Sequence, residues 1–392
     1  MAPSVPSTKE LSTLKLTVST TSTLISQFQS SLTANATDKP QSIENASTPP
    51  STADPAPPHD PIPLIHTSAT LVKAHTTKLS LLILNRPFTP SALSTVLREL
   101  STGALPLLLT AVEACDPSVF THLFHKELRA CTQRLLQDLA SLVGEIPLDV
   151  ASASKASGSA SGEGSTLPTT GLVWSACDAL TTLASQGISG LLVRKAQEYR
   201  DLLADAIAEL DEWSKEESEA ADDDDDVEDS EKEDDPISDN ATDNVLAFGA
   251  DSGPPPESIR PLLKTSLTRL TFIKHLYTAI IKHRLRSIPS PQSHVSATIS
   301  STPPFVTTVD KAMRSLCEIP EETDELANAF YEHDAETADT LLKHCVSLAQ
   351  DAAKTLHDGW QGAAEASSKD AFRAWVEMWT RLVGNADVLK EG

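Results

Sequence analysis

The spacing of apolar residues is helical along most of the chain, and this feature restricts the possible fold more than any other. The clearest example steps by four and three residues, as a heptad seam does, through Leu192, Ala196, Tyr199, Leu203, Ala206, Leu210 and Trp213. A half-buried strand would instead alternate with a period of two. With 14 glycines among 392 residues, the chain is also poor in a typical turn residue. We therefore predict an all-α fold.

Five segments of the first half follow this spacing and predict an antiparallel five-helix bundle. The predicted helices cover residues 9–32, 64–84, 91–114, 117–143 and 169–213. Pro90 and Pro117 stand where prolines begin helices, and Gly144 stands where glycines end them.

The second half has the same character and predicts a C-terminal helical domain. Its helices are predicted at residues 258–286, 306–317, 321–331, 335–357 and 368–389. One face of the first contains Leu263, Leu267, Leu270, Ile273, Tyr277, Ile280 and Arg284. In the last helix, Trp375 and Trp379 lie four residues apart. Such a pair is more typical of a core than of a binding site.

Stretches of low sequence complexity separate these helices. We predict an N-terminal bundle, an acidic disordered linker and a C-terminal helical domain, over residues 1–215, 216–257 and 258–392. The N-terminal bundle is predicted to contain disordered loops at residues 37–63 and 150–168, and the C-terminal domain a flexible loop at 287–303.

The formal net charge of −24 is concentrated in one part of the chain. Residues 209–235 contain 17 acidic side chains against Lys215 and Lys232. Such a segment cannot bury enough apolar surface to become ordered. Residues 260–286, in contrast, contain no aspartate or glutamate. Their candidate basic interaction face consists of Lys264, Arg269, Lys274, Lys282, Arg284 and Arg286.

Three interpretations of these opposite charges stay open. Lysines and arginines on one helix can neutralise nucleic-acid phosphates. A tethered acidic segment, however, is present at high effective concentration and would occupy the basic face first, which makes nucleic acid an unlikely partner. Our hypothesis is that the acidic segment masks the basic helix. In the third interpretation, both surfaces are solvated and do not interact.

The sequence contains no P-loop, dinucleotide-binding, nucleophile-elbow, zinc-protease or EF-hand motif. His122 and His125 are three residues apart, but no third ligand is in register with them. The five cysteines form no CxxC pair, and their odd number argues against a disulfide or zinc framework. We predict a protein without enzymatic activity, catalytic residues, cofactor, metal or small-molecule substrate.

Two serines are candidate phosphorylation sites. Ser214 and Ser230 each precede a glutamate by three residues, as in substrates of acid-directed kinases. The first thirty residues lack a cationic start followed by an apolar core, and no apolar run approaches the roughly 18 residues that span a bilayer. We expect a soluble intracellular protein with reduced cysteines and no membrane span.

Several motifs resemble the cyclin-D-binding protein family, also called GCIP. They begin with Thr170-Gly-Leu-Val-Trp-Ser-Ala-Cys-Asp178 and with Leu202-Leu-Ala-Asp-Ala-Ile-Ala-Glu-Leu-Asp-Glu-Trp213, which leads into the acidic run. Residues 266–270 and 275–285 are similar to the basic helix of that family. Glu318-Ile-Pro320 and Asp324-Glu-Leu-Ala327 resemble its next block. These are packing motifs, and the similarity extends over residues 64–390.

The resemblance implies an all-helical, non-enzymatic regulator of cell-cycle progression and transcription. It further implies a cytoplasmic and nuclear location, and a D-type cyclin or a helix-loop-helix factor as the protein partner. It assigns no binding residue. Two alternatives stay open: a vinculin-like or talin-like adaptor of cytoskeleton or membrane, because such adaptors are also helical bundles, and an enzyme with a diffuse active site.

Overall fold

A computed structural model describes residues 8–34, 60–84, 89–148, 163–215, 255–288, 304–360 and 370–384. Within these ranges the regular elements are helices and no strand occurs, which confirms the predicted fold class. The α-helices are α1 (Thr8–Ala34), α2 (Pro61–Leu84), α3 (Pro90–Glu99), α4 (Leu105–Glu113), α5 (Pro117–Phe120), α6 (His122–Gly144), α7 (Glu163–Lys215), α8 (Arg260–His283), α9 (Pro304–Tyr331), α10 (Ala335–Thr355) and α11 (Ala371–Gly384).

The chain divides into two compact units. The first comprises Met1–Leu191 and Ser290–Val306, and the second Leu192–Pro289 and Thr307–Gly392. The division falls inside α7, four residues after Gly187, whose φ of 62° and ψ of −165° interrupt the helix. Most residues of the predicted linkers lie outside the described ranges. The domain boundaries drawn from the sequence therefore stay a prediction. Two helices nevertheless begin within predicted loops, α2 at Pro61 and α7 at Glu163.

In the first unit, α1 packs against α3 and α6, and α2 packs against α3 and α4. Helix α1 is rich in serine and threonine, yet Leu14, Ile25 and Leu32 are almost completely buried. Its hydroxyls bond within the helix: Thr21 donates to the carbonyl of Thr17 at 2.9 Å, a pattern that satisfies the side chain without breaking the backbone ladder.

Residues 91–114, predicted as a single helix, form α3 and α4 with a π turn at Leu100–Ala104 between them. The amide of Leu105 donates to the carbonyl of Leu100, five residues earlier. Pro106, one residue later, has no amide to donate. By length and hydropathy, Pro90–Glu113 could cross a membrane, although buried core helices meet the same criterion. Within the unit, Leu93, Leu97 and Leu108 of this segment are buried.

The predicted helix over residues 117–143 is interrupted at Thr121, which has a φ of 69°. The interruption separates α5 from α6, and each begins with a side-chain cap. Asp116 accepts from the amide of Ser118, and Thr121 accepts from the amide of Phe124. The continuous helix predicted here was therefore wrong.

In the second unit, α8 packs against α10 and α11. Two helices were predicted around Pro320, but α9 continues through it from Pro304 to Tyr331. A proline inside a helix lacks the amide that would bond the carbonyl four residues earlier, here that of Leu316. The hydroxyl of Tyr277 donates to that carbonyl instead. A contact between helices thus replaces the hydrogen bond that the local sequence removes.

Candidate functional site: a groove beside the basic helix

Helix α8 displays most of the predicted basic face. The side chains of Lys264, Lys282 and Arg286 are exposed, and those of Arg269 and Lys274 are half-buried. At 1.5 Å rise per residue, Lys264 and Lys282 lie about 27 Å apart along the helix axis. The cations are thus spread along the helix rather than gathered at one point.

Arg284 does not belong to this face. Only 4% of the residue is exposed, and its guanidinium forms an ion pair of 2.7 Å with Asp370. It also donates to the carbonyls of Leu356 at 2.7 Å and His357 at 2.8 Å. Arg284 stands at the end of the apolar stripe of α8. It can be buried because its guanidinium is paired with the Asp370 carboxylate.

The Arg284 cluster joins three parts of the second unit: the end of α8, the residues after α10 and the start of α11. The guanidinium carbon lies 4.3 Å from the centre of the Phe372 ring. Trp360 donates from Nε1 to the carbonyl of Arg284 at 3.0 Å. Asp370 accepts from the amide of Phe372 at 3.0 Å, so the carboxylate that pairs with Arg284 also caps α11.

Burial raises the pKa of Asp370, but the hydrogen bond and charge of Arg284 and the amides of Phe372 and Arg373 outweigh it. The pKa therefore lies below its ordinary value, and the carboxylate is ionised at neutral pH.

A groove with a cavity volume of about 470 Å³ lies between α8 and α11. The α8 side of the groove is formed by Phe272, His275, Thr278, Ala279, Lys282 and His283. The α11 side is formed by Trp375, Met378, Trp379 and Leu382. Each side follows the three- and four-residue spacing of a single helix face, so the groove runs along both helices.

Aromatic contacts fix the α11 side of the groove. The ring of Trp375 stacks on Phe372 at 6.3 Å and on Trp379 at 6.2 Å between centroids. Trp379 donates from Nε1 to the carbonyl of Phe272 on α8 at 2.8 Å. The core position expected from the sequence holds for Trp379, which is 2% exposed, whereas Trp375 is half-buried and lines the groove.

Apolar surface remains open to solvent in the groove. Met378 is 54% exposed and Leu382 is 38% exposed, while Phe372, Val376 and Val383 of the same helix are buried. Sequence reasoning identified the buried stripe and missed these two residues. Met378 and Leu382 make the apolar face of α11 wider than one packing contact requires. This extra width is the sequence signal that could have revealed the groove.

The side chains that line the groove carry positive charge and no negative charge. Lys282 is basic, and the residues that line the groove include no aspartate or glutamate. Burial, together with the charges of Lys282 and Arg284, lowers the pKa of His283 against the opposing effect of Asp370. His283 is therefore neutral at pH 7, and Lys282 contributes the formal charge of this surface.

The other residues singled out in the sequence form no catalytic cluster among the described residues. His125 Nδ1 lies 3.2 Å from the carbonyl of Cys115, and the described residues offer no group of acidic, histidine or cysteine side chains able to hold a metal. The hydroxyl of Ser214 donates to the carbonyl of Asp211 at 2.7 Å. Ser230 lies outside the described ranges.

Three cysteines, Cys115, Cys177 and Cys345, are buried. Burial raises the pKa of the Cys115 and Cys177 thiols to about 12, and that of Cys345 to about 11. A thiol is nucleophilic only as the thiolate, so these three side chains are inert at neutral pH.

The end of α7 carries a second aromatic contact. Trp213 meets Tyr331 edge to face, with 5.2 Å between ring centroids, and Tyr331 donates to Glu209 at 3.0 Å. The motif that ends at Trp213 therefore serves packing within the second unit.

The family model described as "Grap2 and cyclin-D-interacting, N-terminal" matches residues 64–216. The family resemblance is confirmed for this segment. This matched segment begins within α2 and ends just after α7, and the groove of α8 and α11 lies outside it.

A relative of unknown role extends the comparison beyond the matched segment. The chain is 24% identical over 323 residues to an uncharacterized protein of Schizosaccharomyces pombe, covering 81% of this chain and 84% of that protein. This aligned length exceeds that of the matched segment, so the similarity to the relative continues past residues 64–216.

Proposed function

We propose that the chain is a non-enzymatic interaction protein that binds a D-type cyclin or a helix-loop-helix factor and regulates cell-cycle progression or transcription. The observation that carries this proposal is the match of residues 64–216 to a family named for its interaction with cyclin D. In keeping with that role, we propose that the protein acts in the cytoplasm and the nucleus.

Helical bundles bind partners by accepting an amphipathic helix between two of their own helices. Such a site needs no catalytic group, and its affinity comes from apolar side chains that leave water. The acidic residues 216–257 would act mainly on the rate of association and on the choice of partner, because long-range charge steers encounter more than it adds affinity.

The test is binding of the purified full chain to a D-type cyclin and, separately, to a helix-loop-helix factor, followed by biolayer interferometry. An A-type cyclin serves as the matched control. We expect saturable binding to one of the two partners. Removal of residues 216–250 should slow association and leave equilibrium affinity within about twofold.

Binding to neither partner would contradict the proposal. Co-sedimentation of the same protein with actin filaments or lipid vesicles would instead support the cytoskeletal or membrane adaptor.

A further inference from the structure

We propose that the groove between α8 and α11 binds an amphipathic helix of a protein partner, with apolar residues on one face and carboxylates beside them. This inference rests on the proposed function, because it names the surface and the partner chemistry of an interaction protein. It concerns residues outside the family match, where nothing else assigns a binding site.

The shape of the groove fits a helix. Phe272, His275 and Ala279 follow one another by three and four residues on α8, and Trp375, Met378 and Leu382 do the same on α11. Two such rows form the sides into which a third helix can place residues at i, i+3 and i+7. From Phe272 to His283 the α8 side extends about 16 Å, which accommodates three turns of a partner.

The exposed side chains of the groove suit an apolar partner face. Met378 is 54% exposed and Leu382 is 38% exposed, side by side on α11. Methionine has a flexible, polarizable side chain that adapts to different partner residues. Burying these two side chains under a partner would remove apolar surface from water, which is the main source of affinity in helix recognition.

The sides of the groove are held in place before any partner arrives. Asp370 caps α11 and binds Arg284, and the Trp379 indole donates to the α8 backbone at Phe272. A partner therefore does not have to order α11 against α8. Preformed sites keep more of their contact energy as affinity.

Charge favours an acidic partner. Lys282 lies along the groove and no carboxylate lines it. Beside Met378 and Leu382, Glu377 is accompanied by Arg381, so basic side chains outnumber acidic ones around the exposed apolar residues and the glutamates of a partner helix would meet net positive charge. A second copy that docked through the same groove is a poorer occupant, because both linings would bring Lys282 and neither would bring a carboxylate to pair with it.

The experiment uses the full chain and a fluorescein-labelled helical peptide of about 18 residues, or five turns. The peptide has leucines at i, i+3, i+7 and i+11 flanked by glutamates, and a comparison peptide has lysines at the flanking positions. Binding is followed by fluorescence anisotropy at about 0.15 M salt, in the wild type and in a protein whose residues 216–240 are replaced by a neutral glycine-serine segment, because that acidic stretch would itself attract the lysine peptide. In the replaced protein we expect the glutamate peptide to bind about tenfold more tightly than the lysine peptide.

The decisive variant is Met378→Glu with Leu382→Glu, which should weaken binding of the glutamate peptide at least about tenfold. The matched control is Leu71→Glu with Leu81→Glu on α2, whose side chains are 40% and 53% exposed. This control should bind as the wild type does. Unchanged binding by the groove variant would overturn the proposal.

A charge reversal keeps the proposal testable if the double variant perturbs α11. Lys282→Glu should weaken the glutamate peptide several-fold and strengthen the lysine peptide. Lys264→Glu, on the same helix but away from the groove, should change neither. Equal effects of the two substitutions would overturn the proposal.

Other occupants give distinct results that would also overturn it. A dimer in sedimentation velocity that the groove variant dissociates would identify a second copy. A tenfold gain in peptide affinity after removal of residues 236–250, or of residues 385–392, would identify the chain's own segment.

Failure of the proposed function can be distinguished from failure of the groove. If the groove variant abolishes peptide binding but the wild type binds neither named partner, only the partner assignment is contradicted. If a D-type cyclin binds the wild type and the groove variant equally, only the groove proposal is contradicted.

Discussion

The Tyr277 hydroxyl donates a 2.6 Å hydrogen bond to the carbonyl of Leu316, the acceptor that Pro320 leaves without its helical amide. Both Tyr277 and Leu316 are fully buried. Burial raises the pKa of the phenol well above its ordinary value, so it remains a donor at every physiological pH.

Tyr277→Phe should destabilise the second unit by about 1–3 kcal/mol, because it leaves a buried carbonyl without a donor. In a Pro320→Ala background the amide of residue 320 can bond Leu316, so the same substitution should cost roughly 1 kcal/mol less. Urea unfolding followed by tryptophan fluorescence measures both, since four of the five tryptophans belong to the second unit. Equal costs in the two backgrounds would contradict this account.

Asp370→Asn should destabilise the second unit by about 2 kcal/mol at pH 7, because a hydrogen-bonded charge pair is broken. The native pKa of Asp370 is lowered, so its stabilisation is complete above the unfolded value of about 3.9 and is lost as the pH falls through the lower native pKa. The stability gap to wild type should therefore narrow below about pH 4.

Urea midpoints measured between pH 3 and pH 8 test this dependence on Asp370. Asp339→Asn, which breaks the exposed pair with Lys343, is the control and should change little. A gap to wild type that stays constant down to pH 3 would refute the role of the Asp370 carboxylate.

Two glycines of α7 should respond oppositely to alanine. Gly187 has a φ of 62°, and no heavy atom lies within 4 Å of a Cβ added at Gly187 or at Gly171. Backbone conformation alone therefore separates them. Gly187→Ala should destabilise by about 1–3 kcal/mol, whereas Gly171→Ala should stabilise by about 0.5–1 kcal/mol. Thermal unfolding by circular dichroism gives both signs, and a shift in the same direction would be inconsistent with the helix interruption at Gly187.

Replacing residues 216–240 by a neutral glycine-serine segment of equal length should raise the affinity for heparin at low salt. The reason is the hypothesis that this acidic stretch competes for the cations of α8 and of the turn that follows it, among them Lys264, Lys282 and Arg286. Elution from heparin resin in a salt gradient is the measurement. The same replacement in a Lys264→Glu, Lys282→Glu protein is the control and should produce a smaller gain. Elution at the same salt concentration before and after the replacement would contradict the masking hypothesis.

Periodicity was sufficient to predict the helices because burial follows it closely. Leu192, Leu203 and Leu210 of the predicted α7 seam are fully buried. The exceptions depend on tertiary contacts. A proline inside a helix predicts a break at Pro320, but the Tyr277 hydroxyl of α8 bonds the carbonyl that the proline leaves without a donor. At Thr121 the apolar spacing continues, yet the positive φ of this single residue ends the helix.

The candidate site was harder to predict for a related reason. Arg284 fits both the apolar stripe and the basic face by spacing, and only Asp370, 86 residues further along the chain, decides between them. The groove likewise requires α8 and α11 to be neighbours, although about ninety residues separate their sequences and no short motif marks the pairing.

The Arg284 cluster has a practical consequence for deletion mapping. Any fragment that ends before residue 370 retains a buried guanidinium but loses its carboxylate, its aromatic cover and the helix that begins there. Loss of binding by such a fragment would report collapse at the end of α8 rather than a missing contact residue. Two-hybrid baits and truncation series for this protein should therefore keep residues 255–384 intact.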